Sequence, residues 1–366
     1  MRKKAVFYVG TLVVSWLSAG QGLAAEQHVY CANAASDGQQ LQAAINGSDR
    51  GDDILIHGAC LIQRTITLLG DRSYQGDSRT GTVLRAGSAE LRAVMASDTW
   101  VSDSPYTGDP VRIAHLTIQG TGGSSRTDGL VIRSWLTTIE DLQILSMPGN
   151  GIRITNLSHH GVALSNNQVN GHIANIFVSD SGASGIRVED TGNSVTDWSL
   201  LDSWIANSGS DAIGLDNAAG WVLRGNHLYG VGANGIRADR CYATSIDGNY
   251  IEDFGSAGSS GAAYGIRCTM QGDAASVISG NKVFSLTAPK AAVRQFVYIG
   301  VPAVNYGTGE LTVTGNAIRG AGRSNDIGLS FAASGQGLRL VSAANDVQAV
   351  AEPRVIGNGV LLGQGY

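Results

Sequence analysis

A short pattern recurs along this chain and leaves few architectures open to it. It runs as a turn residue, a small residue, an Ile, an outward residue and another inward one. It appears as Asn150-Gly151-Ile152-Arg153-Ile154, Ser184-Gly185-Ile186-Arg187-Val188 and Asp211-Ala212-Ile213-Gly214-Leu215. It returns as Asn234-Gly235-Ile236-Arg237-Ala238 and Tyr264-Gly265-Ile266-Arg267-Cys268. Asp128-Gly129-Leu130-Val131-Ile132 fits upstream, and Asp326-Ile327-Gly328-Leu329 fits loosely downstream. A second motif lies between these. Gly225-Asn226, Gly248-Asn249, Gly280-Asn281 and Gly315-Asn316 each precede a short β-prone run, and their Asn residues are 23, 32 and 35 positions apart. Alternation has period two, which marks strands. Self-similarity at such intervals marks a solenoid, with the unequal lengths taken up at turns. Glycine supports this, at 50 of 366 residues against only six prolines. That much glycine without a collagen period means many tight turns.

The chain shows no linker, Pro-rich stretch or low-complexity tail, so residues 26–366 read as one domain. Residues 1–25 read as an export signal. Arg2, Lys3 and Lys4 precede an apolar run from Ala5 to Leu17, and Ala24 or Ala25 suits a signal peptidase. A bilayer span needs roughly 20 apolar residues, more than this run or any later one supplies. The mature protein is therefore expected outside the cytoplasm, secreted or periplasmic, with no membrane attachment after cleavage. Net charge is 25 − 30 = −5, and −8 once the three basic leader residues are removed. A chain so charged is not expected to bind nucleic acid through bulk electrostatics. No Gly-rich phosphate loop sits between a strand and a helix, so no nucleotide cofactor is expected. Cys31, Cys60, Cys241 and Cys268 make an even count that fits disulfides in an exported protein. Cys31 with Cys60 would staple the N-terminal region. Cys241 and Cys268 lie one coil apart but about three repeat positions out of step, which makes their pairing less natural.

These motifs resemble the right-handed parallel β-helix of the pectate-lyase-like superfamily, over roughly residues 36–350. The opening strengthens the likeness. Leu41-Gln42-Ala43-Ala44-Ile45 reads as a short capping helix, Gly51-Asp52-Asp53-Ile54-Leu55-Ile56 as the first strand, and Arg64-Thr65-Ile66-Thr67-Leu68 as a second. The fold expected is all-β, a single-stranded right-handed parallel β-helix of about ten coils behind that helix. At about 4.8 Å per coil it would form a rod near 50 Å long. Asn226, Asn249, Asn281 and Asn316 would stack at one corner as a structural ladder.

Stacked coils put equivalent positions into columns. After the Ile the column reads Val131, Arg153, Arg187, Gly214, Arg237, Arg267. Two residues on it reads Arg133, Thr155, Glu189, Asp216, Asp239, Thr269. Three carboxylates about 5 Å apart repel unless arginines pair with them, a proton is shared, or a hard cation such as Ca²⁺ lies between them. Gly214 would open space in the arginine column beside Asp216. The resemblance implies a polysaccharide groove along this face. Its eliminating members hold Ca²⁺ and a uronate carboxylate on acids, and use Arg or Lys as the base. Its hydrolases use three aspartates. No Asn-Thr-Asp, Asp-Asp and Gly-His-Gly set, Arg-x-Pro segment or Asp-Pro-His-Asp motif selects among these chemistries. The reading is an enzyme acting on an acidic, uronate-containing polysaccharide, with elimination favoured. Hydrolysis, transglycosylation or epimerisation on the same groove, or a non-catalytic glycan-binding or periplasmic accessory role, are the alternatives. Asp216, Glu189 and Asp239 are the acid/base or cation groups, and Arg187 and Arg237 the bases or clamps. Arg153, Arg267, Arg133 and Asp211 are the further substrate contacts. Asp128 sits at a turn, His159 and His160 read as solvated turn residues, and His227 and Tyr250 fall on another sheet. Trp135, Trp198, Trp204 and Trp221 read chiefly as packing. Insertions at 253–263 and 285–308, the latter with Lys290, Arg294 and Tyr298, would wall the groove. Oligomeric state is not encoded in any of these patterns.

Overall fold

The computed structural model describes residues 24–121, 126–287, 292–334 and 336–363. The leader and Lys290 lie outside the described residues. Inward Ile, Leu and Val alternate with outward polar residues, so each short strand buries one face. Ile152, Ile154, Ile186, Val188, Ile213, Leu215 and Ile236 are all 0 % exposed. Each such side chain contributes about 1.5–3 kcal/mol when fully buried. They form one continuous core along the rod.

Every coil contributes a strand to the front sheet, which has eleven parallel strands. Those that matter below are Ile66–Leu68, Ala93–Ser97, Asp128–Ile132, Ile152–Thr155, Ile186–Glu189, Ile213–Asp216, Ile236–Cys241 and Ser259–Met270. Two further strands per coil, such as Val222–Arg224 and His227–Tyr229, stack in two parallel rows that join through Asp53–Ile62 into one 23-stranded sheet. Between these two the chain turns sharply. Gly225, Gly248, Gly280 and Gly315 hold φ of +64° to +68° there, a conformation glycine reaches freely. The next residue in each case is the ladder asparagine. Asn226 Nδ2 donates to Leu200 O at 2.9 Å and to Asn249 Oδ1 at 3.0 Å, and Asn249 and Asn281 repeat the pattern. Asn345 extends the ladder by one more coil, with Asn316 Nδ2 donating to its Oδ1 at 2.8 Å.

The rod opens with strand Glu26–Ala32, which pairs in parallel with Asp53–Ile62. The first strand therefore lies upstream of the Gly51–Ile56 segment read from sequence. Helix Asp37–Asn46 buries Leu41 and Ile45 over this end. Cys31–Cys60 closes it. Cys241–Cys268 also forms, at a Cα–Cα distance of 5.6 Å. A register shift of one residue between Ala238 and Cys241 sets Cys241 opposite Met270, two residues beyond Cys268, and the bond spans that remaining offset. The segments read as insertions each run into a front-sheet strand. Ser259–Met270 and Val293–Val301 are long front-sheet strands, and Tyr298 is 0 % exposed. Trp198 and Trp221 are core residues stacked at 5.8 Å, whereas Trp204 is 48 % exposed.

Candidate functional site

The register of the front sheet aligns Arg153 with Arg187, Arg187 with Gly214, Gly214 with Arg237 and Arg237 with Arg267. It aligns Thr155 with Glu189 and Glu189 with Asp216 as well. The arginines lie among the acids and pair with them. Arg153 Nε donates to Glu189 Oε2 at 3.0 Å, and Thr155 Oγ1 donates to the same oxygen at 3.0 Å. Arg187 pairs with Asp216. Arg237 is shared among Asp216 at 2.6 Å, Asp239, and Asp211 through Nε at 2.7 Å. Arg267 Nη1 reaches Asp239 Oδ1 at 2.6 Å.

This lattice sets the charge states. Burial alone would pull Arg237 down, but Asp211, Asp239 and Asp216 hold its guanidinium above the usual value. Burial would raise Glu189, yet Arg153 and Thr155 keep it below the usual carboxylate range. Neither group is poised to exchange a proton. A guanidinium this high is a poor base, so Arg237 acts as a clamp. Gly214 is not an opening: a Cβ there would lie 3.0 Å from both Arg237 Nη2 and Asp211 Oδ2. The space belongs to the ion pairs. Glu189, Asp216 and Asp239 do not fit a Ca²⁺ ion, because each is already engaged by a guanidinium. Among the described residues no three acidic, His or Cys side chains converge as a metal would require.

Two further expectations are corrected. Arg133 is 0 % exposed and faces no groove. Its guanidinium donates to the carbonyls of Thr99 (2.9 Å), Ser104 (2.5 Å) and Val162 (3.0 Å), and burial pulls its pKa down to about 10. The chain beyond Thr155 and beyond Ser97 folds over this position, which a column read from sequence does not show. Asp211 is 3 % exposed. Its Oδ1 accepts from Asn234 N at 3.1 Å and its Oδ2 from Arg237, so it supports the face from beneath. Asp128 holds the same place three coils earlier. It accepts Asn150 N at 2.7 Å, and burial raises its pKa.

The open part of this face lies at the N-terminal end of the lattice. A cleft of about 770 Å³ is bordered by Arg92, Trp100, Arg126, Arg153, His159 and Arg187, with Glu189 and Asp128 on its floor. Trp100, on the short helix Asp98–Val101, and His159, on a loop, come from two segments that Arg133 ties down. His159 N donates to Trp100 O at 2.9 Å, and the two rings meet edge to face at 4.8 Å. Asp103 anchors the second segment through Ser158 Oγ and His160 Nδ1, both at 2.6 Å, and these bonds hold its carboxyl well below the usual range. His159 is exposed, and among the described residues its ring makes no hydrogen bond. Burial, then His160 and Arg92, lower its pKa, so the imidazole is neutral at neutral pH. His159 is an exposed turn residue, as read from sequence, and it also borders the cleft. The sequence signal for Arg92, Trp100 and Arg126 was weak, since the first three coils do not share the later pattern.

Parallel strands coiled into a rod, with a basic cleft on its front sheet, define a β-solenoid. The chain belongs to the right-handed β-helix family, whose region matches residues 129–318, just over half of its length. No curated protein matches it. Among solved structures it is similar to the A-module of mannuronan C-5 epimerase AlgE6 from Azotobacter vinelandii. That match has a TM-score of 0.62 at 14 % identity, over 91 % of this chain and 97 % of that one. It is similar to PfbA, a surface adhesin of Streptococcus pneumoniae, at TM-score 0.58 and 13 % identity over 88 % of each chain. The catalytic unit of a GH87 α-1,3-glucanase from Streptomyces thermodiastaticus gives 0.55 at 13 % identity, over 90 % of this chain and 65 % of that one. Identities this low establish the shared fold alone.

Proposed function

We propose that this protein is an exported carbohydrate-active enzyme that removes the C5 proton from uronate units of an acidic polysaccharide, with β-elimination as the outcome. The observation that carries this reading is His159, an exposed imidazole whose ring makes no hydrogen bond among the described residues, bordering the cleft together with Arg92, Arg126, Arg153 and Arg187. Arg153 and Arg187 would neutralise the uronate carboxylate, which makes the neighbouring C5–H more acidic. His159 would accept that proton. The electron pair then forms the C4–C5 double bond as the C4–O bond breaks, and the departing oxygen takes up a proton. Glu189 orients Arg153. Asp216, Asp239, Arg237 and Arg267 continue the face as a fixed charge lattice along which the chain lies. Two disulfides fit the oxidising compartment that export implies. Among the described residues no helix is long and apolar enough to cross a membrane.

Epimerisation begins with the same proton removal, and the AlgE6 module shares the fold. The two outcomes separate in one assay. Purified protein on uronate polysaccharides should yield both unsaturated-product absorbance and new reducing ends, with and without chelator, and His159→Ala should abolish both. Altered C5 stereochemistry without cleavage makes the protein an epimerase. Reducing ends without absorbance make it a hydrolase. Binding with no turnover on any acidic or neutral glycan makes it a glycan-binding β-helix, a reading favoured by how fully the lattice pairs its own charges.

A further inference from the structure

The cleft does not end at Arg92. Toward the N-terminal cap it opens into an adjoining recess of about 390 Å³ that shares Arg92, Trp100 and His159 with it and adds Arg64. Arg64, Arg92 and Arg126 stand just before the front-sheet strands Ile66–Leu68, Ala93–Ser97 and Asp128–Ile132, on three successive coils. Hydrogen bonds stitch these coils together at that point. Thr65 Oγ1 donates to Ala93 O at 2.7 Å, and Asp128 N donates to Arg92 O at 2.9 Å. Neighbouring coils are spaced at about 4.8 Å.

All three arginines are exposed, and among the described residues none has an ion-pair partner. The contrast is with Arg153, Arg187, Arg237 and Arg267, each of which holds a carboxylate. Of the acids that border the two recesses, Asp128 and Glu189 are engaged elsewhere, which leaves Glu90 as the one exposed, unpaired carboxylate. Like charges on adjacent strands destabilise a sheet. Three in a row persist here, and among the described residues Glu90 is the one free carboxylate that borders them. Trp100, 4 % exposed, sits where the recesses meet, and its indole Nε1 has no hydrogen-bond partner.

We infer that Arg64, Arg92 and Arg126 form an anion rail that holds consecutive acidic sugars of a long polyuronate on the capped side of His159, so that the protein engages chain interiors. This rests on the uronate reading of the cleft. Guanidinium groups bind carboxylates in a bidentate manner, and one group per coil suits a ligand whose charges repeat along its length. A short oligouronate at His159 would meet Arg92 and Arg126, which border the same cleft, but would not span all three arginines out to Arg64.

The test uses full-length protein carrying His159→Ala, so that the ligand stays intact, and measures calorimetric affinity for a long polyuronate, its trisaccharide and the carboxyl-reduced polymer. Adding Arg64→Ala, Arg92→Ala and Arg126→Ala together should weaken the long polyuronate by about tenfold or more at low salt and flatten its salt dependence. Trisaccharide affinity should fall several-fold less than polyuronate affinity, and the reduced polymer should bind neither protein. Arg224→Ala with Arg319→Ala, exposed arginines outside the front sheet, controls for net charge and should change nothing. Unchanged polyuronate affinity in the triple variant overturns the rail. So does an equal loss with the trisaccharide, with the control pair, or with the reduced polymer. The rail then falls while the function stands if the parent protein turns polyuronate over through His159. If the parent neither binds nor turns over polyuronate, the uronate reading itself falls.

Discussion

Arg237 and His159 stand on one face in opposite electrostatic settings. Arg237 is surrounded by carboxylates and locked in its charged form. His159 has cations beside it and is kept neutral. The first setting predicts a stability effect. Asp211→Asn keeps the acceptor for Asn234 but leaves the Arg237 guanidinium, whose side chain is 14 % exposed, short of one carboxylate. The loss should be about 3 kcal/mol, read as a lower midpoint in urea. The second setting predicts a pH effect. A lowered His pKa favours the neutral form, so a reaction using His159 as base persists below pH 6.5, its ordinary value, and fails on further acidification. The acid limb of kcat/KM should therefore fall below 6.5, and Arg92→Gln should move it upward by removing a cation. A limb above that value would rule out His159 as the base. The arginine column itself was legible in the sequence because period-two alternation and coil register fix which residues align. The partner of each arginine was not, because pairing depends on where guanidiniums turn within the column.

At the scale of the element, two devices organise the coils, and they differ in how far sequence revealed them. The asparagine ladder was readable because one residue type recurs in one context. Asn249→Ala should cost about 2–3 kcal/mol, because Leu223 O loses its donor and Asn226 loses its acceptor in a site 1 % exposed. Thermal unfolding of that variant checks it. Arg133 was misread as an outward residue for a matching reason. Its position in the column is right, but the segments at 98–107 and 157–166 close over it and supply carbonyl partners. Arg133→Met would leave the carbonyls of Thr99, Ser104 and Val162 without that donor. The expected loss is about 2–4 kcal/mol, with looser loops and altered Trp100 fluorescence. Loss of turnover with Trp100 fluorescence unchanged would argue against this positioning role.

The whole rod is asymmetric. Its N-terminal end carries a helix over Leu41 and Ile45 and the Cys31–Cys60 bond, which spans 29 residues and contributes about 3.5 kcal/mol by loop closure. At the other end, Leu361 and Leu362 are 61 % and 54 % exposed, and strand Glu352–Ile356 is exposed throughout. In a solenoid, stability sums over neighbouring coils, so opening starts where a coil has one neighbour fewer. Hydrogen exchange should therefore be fastest in residues 337–363 and slowest in the front-sheet strands from Ile152 to Asp216. Uniform protection along the rod would contradict this. The sequence by itself determined the coil, the sheet faces and the columns, because each follows from a local repeat and the geometry of a strand. Only the tertiary structure decided that the acids are spent on arginines, that Arg133 is buried, and that His159 meets Trp100 over an open cleft. Those outcomes depend on loops that leave the repeat, and no periodicity records where such loops return.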